Sequence, residues 1–138
     1  MTSLLLDTHA AIWLTTDQPL SKGAGDAVRT ARAAGETIHV SPISAWEIGL
    51  LVARGRINLN ARPEVWFDRL MQAPSFALTA LMPDVLIAAS FLPASDGLRD
   101  PADRILVATA REYGHRLVTR DRKILDYASE GHLQAIEC

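Results

Sequence analysis

Apolar residues recur along the chain in two alternating rhythms. Short runs dense in aliphatic side chains, SLLLD (3–7), TIHV (37–40), FALTA (76–80), RLVT (116–119) and LQAIE (133–137), read as buried strands. Between them the apolar spacing lengthens to the period of a helix, over 8–15, 21–34, 42–54, 63–73, 82–91, 101–113 and 121–129. Strands that alternate with helices predict an α/β fold, a single domain over 1–138 with a parallel sheet of about five strands sandwiched by helices. Punctuation agrees with this division: Pro42, Pro63, Pro83 and Pro101 fall at or near helix starts, and Gly35, Gly55 and Gly114 follow helix ends. The segment ARGRINLNARP (53–63) fits neither rhythm and is expected to be a short extended excursion.

Composition narrows the class. A chain of 138 residues, 49% hydrophobic and 22% charged, can bury a real core and is neither disordered nor fibrous. The net charge of −2 argues against a sequence-independent nucleic-acid coat, although a local basic patch is compatible with it. Cys138, the single cysteine, has no partner for an intrachain disulfide, which suits a reducing cytoplasm. The opening MTSLLLDTHAAIWL carries no Lys or Arg before its apolar part and makes a poor signal peptide. The apolar stretch SFALTALMPDVLIAASFLPA is broken by Pro83 and Asp84, so no membrane span is expected. A cytoplasmic protein without membrane association is the expectation.

The acids carry the candidate chemistry. In an open parallel sheet the C-terminal ends of all strands share one edge, and ligand sites form there. Asp7 ends the first strand, Asp121 follows the fourth, Asp103 opens the helix that precedes the fourth, and Glu47 lies in the helix after the second. All four are expected near that edge. Glu47 is the only charged residue of SPISAWEIGLLVA, with Ile43, Ser44, Leu50 and Leu51 at helical spacing, so its carboxylate needs an Arg partner or a cation. Each other acid has its own local reading. Asp7 and Asp121 suit helix N-caps, Arg120 and Arg122 flank Asp121 closely enough to neutralise it, and Asp103 suits a first helical turn behind an Asp100–Pro101 start.

Together those local readings leave a charge problem. Two carboxylates about 4 Å apart repel by roughly 4 kcal/mol at an effective dielectric of about 20, so several converging on one edge need a positive compensator. Mg²⁺ is the economical choice, with Mn²⁺ as a substitute, because both take hard oxygen ligands and keep positions for water and phosphate. His9, His39, His115 and His132 are scattered and lack zinc-ligand spacing. Asp7 and Asp103 are the expected metal ligands, with Glu47 and Asp121 completing the site. The reaction that follows is phosphodiester hydrolysis by metal-activated water.

The blocks LLLDTHAAIWL, ISAWEIGLL, RDPADRILVATA and LVTRD, in this order and spacing, resemble the PIN-domain ribonucleases, and specifically the VapC-type toxins of bacterial toxin–antitoxin pairs. The resemblance spans nearly the whole chain. It implies a metal-dependent endoribonuclease with Asp7, Glu47, Asp103 and Asp121 as catalytic acids, supported by Thr8 and Thr119. It also implies an RNA substrate, a cognate antitoxin that blocks the site, and a homodimer. Asp100 lies close enough to share the ligand role, although DRILVATA matches the family with Asp103 as the acid. Arg99, Arg104, Arg120 and Arg122 are candidates for steering RNA phosphate, or for pairing with the local carboxylates. Trp13, Trp46 and Trp66 are candidates for base stacking, with core packing favoured for Trp13 and Trp46.

Two other functions fit parts of the pattern. A receiver-like phospho-accepting domain also gathers aspartates at the edge of a five-stranded parallel sheet, but it wants a lysine on a late strand. Lys22 and Lys123, the only lysines, fall outside every expected strand. A catalytically silent scaffold that binds RNA or a protein partner is the remaining alternative, and the retention of all four acids counts against it.

Overall fold

Leu4, Leu5 and Leu6 form the middle strand of a five-stranded, wholly parallel sheet in the computed structural model, which describes residues 3–16 and 18–138. The strands are β1 (Leu4–Leu6), β2 (Ile38–Val40), β3 (Phe76–Leu78), β4 (Arg116–Thr119) and β5 (Gln134–Glu137). Their spatial order is β3-β2-β1-β4-β5, with Leu4 in register with both Ile38 and Arg116. The helices are α1 (Thr8–Thr15), α2 (Lys22–Ala33), α3 (Pro42–Ala53), α4 (Pro63–Gln72), α5 (Pro83–Ser90), α6 (Pro101–Tyr113) and α7 (Arg122–Ser129). Every expected strand and helix is present with ends close to those read from the sequence.

The two-residue period of the strands divides the core between the sheet's faces. Leu4, Leu6, Val40 and Val118 pack with Ala10, Ala11, Val28 and Leu70 beneath α1, α2 and α4. Leu5 and Leu117 point the other way, against Val85, Leu106, Val107 and Ile124 of α5, α6 and α7. Helices therefore cover both faces. The ends are set locally: Pro42, Pro63, Pro83 and Pro101 occupy first-turn positions, and Gly114 closes α6 at φ 68°, a left-handed conformation that a side chain would strain. Residues 54–62 form turns and irregular chain, not the extended excursion expected there, and Asn58 accepts a bond from the Asn60 amide across a left-handed Asn60. Among the described residues no helix is long and apolar enough to cross a membrane.

The strand order places a topological switch between β1 and β4. From β1 the chain winds outward through β2 to β3, then returns to lay β4 on the opposite side of β1. Loops leaving the two strands at their C-terminal ends diverge there, which opens a crevice. Asp7 follows β1 and Thr119 ends β4, so both flank that crevice.

Candidate active site

Asp7 is buried at the switch point and both of its carboxylate oxygens are engaged. Oδ1 accepts the Ala10 amide at 2.7 Å, which makes Asp7 the N-cap of α1, and Oδ2 accepts the Thr119 hydroxyl at 2.6 Å. The Thr119 oxygen in turn accepts the Asp121 amide at 3.1 Å, while Asp121 Oδ1 caps α7 through the Ile124 amide at 3.0 Å. Capping and assembly are thus one arrangement, because the same oxygens that start α1 and α7 fix two acids at the sheet edge.

Thr8, next to Asp7, reaches across to α3. Its hydroxyl donates to Glu47 Oε1 at 2.5 Å, and Ser44 Oγ lies 2.9 Å from Thr8 Oγ1. Glu47 has no Arg partner among the described ion pairs, so the ion-pair reading of this residue is replaced by a hydroxyl contact. Asp100 caps α6 by accepting the Asp103 amide at 3.0 Å, which turns the first helical turn and Asp103 with it toward the other acids. Asp7, Glu47, Asp100, Asp103 and Asp121 line one cleft of about 290 Å³, with Thr8, His9, Trp13, Leu106 and Arg120.

The electrostatics of the cleft are strongly anionic. Burial raises the Asp103 carboxyl to about 7, and the charges of Asp100, Asp121, Glu47 and Asp7 push the same way. Burial also raises Asp7, against the hydrogen bonds from Thr119 and Ala10, and raises Glu47, against the bond from Thr8. None of the five acids joins an ion pair among the described residues. The cleft therefore concentrates five carboxylates against one arginine, Arg120, which pairs with none of them.

Comparison with known proteins gives this arrangement a family. The family model described as "PIN domain" matches residues 4–130. Ribonuclease VapC22 of Mycobacterium tuberculosis (strain ATCC 25618 / H37Rv) is 38% identical over 125 residues, covering 90% of this chain and 91% of the relative. The chain belongs to the PIN-domain family, VapC type. Solved structures share the fold of this PIN domain. VapBC2 from Rickettsia felis, bound to a DNA fragment from its promoter, aligns with a TM-score of 0.71 at 14% identity, over 99% of this chain and 98% of the other. DNA-bound VapBC from Salmonella typhimurium aligns with a TM-score of 0.65 at 15% identity over the same shares.

The donor set of the PIN domain suits a hard divalent cation. Every acidic oxygen in the cleft is a carboxylate, no cysteine lines it, and His9 is its single imidazole. Among the described residues no three His, Cys, Asp or Glu side chains are gathered as a ready metal-binding group. Mg²⁺ does not need one, since it usually keeps several waters and takes one or two protein carboxylates.

The arginines separate clearly. Arg104 is a correction to the sequence reading: its guanidinium donates to the carbonyls of Ala89 at 2.8 Å and Leu98 at 2.6 Å and to Ser95 Oγ at 3.1 Å, so it braces the 91–99 loop and does not line the cleft. Arg99 bonds the Asp96 carbonyl at 3.3 Å, and Arg122 faces Glu137 at 3.5 Å. Only Arg120 of the four lines the cleft. Trp46, expected in the core, is 56% exposed, because α3 fully buries only Ser44 and Ile48. Trp13 packs partly against the core and partly lines the cleft, and Trp66 packs against the core from α4. Sequence reasoning named Ser44 only as a neighbour of Glu47 and missed its contact with Thr8. A small hydroxyl one helical turn before Glu47 was the available signal.

Proposed function

We propose that this protein is a Mg²⁺- or Mn²⁺-dependent endoribonuclease that acts as the toxin of a toxin–antitoxin pair. The observation that carries this reading is the convergence, at the β1/β4 switch point, of acids from four separate segments, none of them in an ion pair among the described residues. The 38% identity to a protein named as a ribonuclease supports the substrate class. When bound, a divalent cation supplies Lewis acidity at the scissile phosphate and lowers the pKa of water there. Asp7 and Asp103 would hold such a cation, and Glu47 and Asp121 would orient water and accept its proton. Thr119 and Thr8 keep Asp7 and Glu47 aimed into the cleft through the hydrogen bonds described above.

Two partners complete the reading. A cognate antitoxin masks the cleft, in keeping with the VapBC assemblies whose toxin fold this chain shares. A second copy of the chain covers α5 and the end of β3, where Leu78, Met82, Leu86, Ile87 and Phe91 are all exposed, Phe91 by 79%. Leu86 and Ile87 lie on α5, and Met82 and Phe91 flank its two ends, so the exposed apolar residues run the length of the helix. Sedimentation of the unmodified chain is expected to give a dimer, and Ile87→Asp a monomer that still melts cooperatively.

Activity is tested with purified protein, freed of any partner, on a fluorogenic single-stranded RNA. Cleavage with Mg²⁺ or Mn²⁺ is expected, with loss on chelation and a fall of at least about a hundredfold in Asp7→Asn, whose neutral amide is a poor metal ligand. Cleavage that persists undiminished in Asp7→Asn overturns the assignment.

A further inference from the structure

Arg120 occupies an unusual position for a cation. It sits in sequence between Thr119 and Asp121, is exposed, and lines a cleft that holds five carboxylates, yet it pairs with none of them. Its guanidinium carbon lies 4.0 Å from the centroid of the Trp13 ring, and Nη2 donates to the main-chain oxygen of Cys138 at 2.6 Å. Two distant segments, α1 and the residue after β5, therefore hold it at the rim. Trp13 is itself anchored, with part of its surface packed into the core beneath α1.

This placement resolves a conflict that the cleft creates. An arginine paired with the acids would take the place of a divalent cation, whereas a rim with no positive charge would repel the phosphates of an approaching RNA. A guanidinium held 4.0 Å from an indole centroid at the rim keeps its charge in the cleft and leaves most of its donors unengaged. Only one of its five N–H donors is engaged, by Cys138, and the planar fork suits a phosphate. Cations next to aromatic rings are the usual construction of single-stranded nucleic-acid grooves.

We propose that Arg120 grips an RNA phosphate adjacent to the scissile one, and that Trp13 is the positioning residue that holds Arg120 in place for it. This rests on the ribonuclease reading, and it selects one arginine from the four that the sequence offered.

The test measures binding of a short single-stranded RNA to the Asp7→Asn protein in Mg²⁺ across a salt series, while cleavage by the otherwise unmodified protein is followed separately. Arg120→Ala and Arg120→Gln are each expected to weaken binding about tenfold, as fits loss of a charged hydrogen bond, and to reduce the log–log salt slope by about 0.7 for one lost phosphate contact. Arg120→Gln retains a donor for the main-chain oxygen of Cys138 and so separates charge from folding. Trp13→Leu is expected to weaken binding and Trp13→Phe to restore most of it, an outcome that a purely structural tryptophan does not produce when both variants melt alike. Lys22→Ala, which removes a charge of α2 outside the cleft, is expected to leave the slope in place. An unchanged slope in both Arg120 variants overturns the proposal even if the unmodified protein cleaves RNA. Absence of metal-dependent cleavage instead overturns the ribonuclease reading.

Discussion

Thr119 joins the two halves of the sheet edge through a single hydroxyl, donating to buried Asp7 Oδ2 and accepting the Asp121 amide. Thr119→Val keeps the shape and removes both bonds. The buried Asp7 oxygen then loses its donor, so a destabilisation of about 1–3 kcal/mol is expected in urea titration, together with reduced cleavage. The acids at this scale were legible because each stands at a strand end or helix start, and Glu47 because no other charge shares its block. Two contacts were not. The Trp13–Arg120 contact joins residues far apart in sequence, and the bonds of Arg104 depend on how the 91–99 loop folds back, which no local pattern records.

At the scale of elements, the start of α6 separates a capping acid from one that faces the cleft's other charges. Asp100 Oδ2 accepts the Asp103 amide, whereas Asp103 feels all four of the other acids. Asn caps a helix as well as Asp does, so Asp100→Asn is expected to retain both stability and cleavage, while Asp100→Ala costs about 1 kcal/mol. Asp103→Asn is expected to fold and to lose cleavage. The reverse pattern in the RNA assay contradicts the assignment of the pair. Element boundaries were readable because proline and glycine mark them. The order β3-β2-β1-β4-β5 was not readable, since alternation predicts parallel strands without saying on which side of β1 the fourth strand lies. Trp46 misled for a related reason: an almost wholly apolar helix block reads as buried all round, but α3 is covered on one side only.

Across the whole molecule, the burial of these acids, together with their mutual repulsion, becomes a stability cost that depends on pH and metal. The Asp103 carboxyl titrates near 7 in the folded chain and near its ordinary 3.8 in the unfolded one. Between those values the folded state holds a proton that the unfolded state has released, so this group makes stability fall as pH rises from about 4 to 7. His115, whose pKa burial lowers, acts in the opposite direction, because the unfolded chain gains a proton first as pH falls. The contribution of Asp103 is therefore read as a difference: without metal, Asp103→Asn is expected to melt higher than the unmodified protein at pH 7.5, with the gap closing toward pH 5. Equal melting temperatures at pH 7.5 contradict this. The central claim, that side-chain oxygens from distant segments meet to hold a divalent cation, is tested most directly by diffraction at the manganese absorption edge from crystals grown with Mn²⁺. The account predicts an anomalous peak within coordination distance of Asp7 and Asp103. A cleft without a peak at saturating manganese, in crystals whose acids are well ordered, contradicts it.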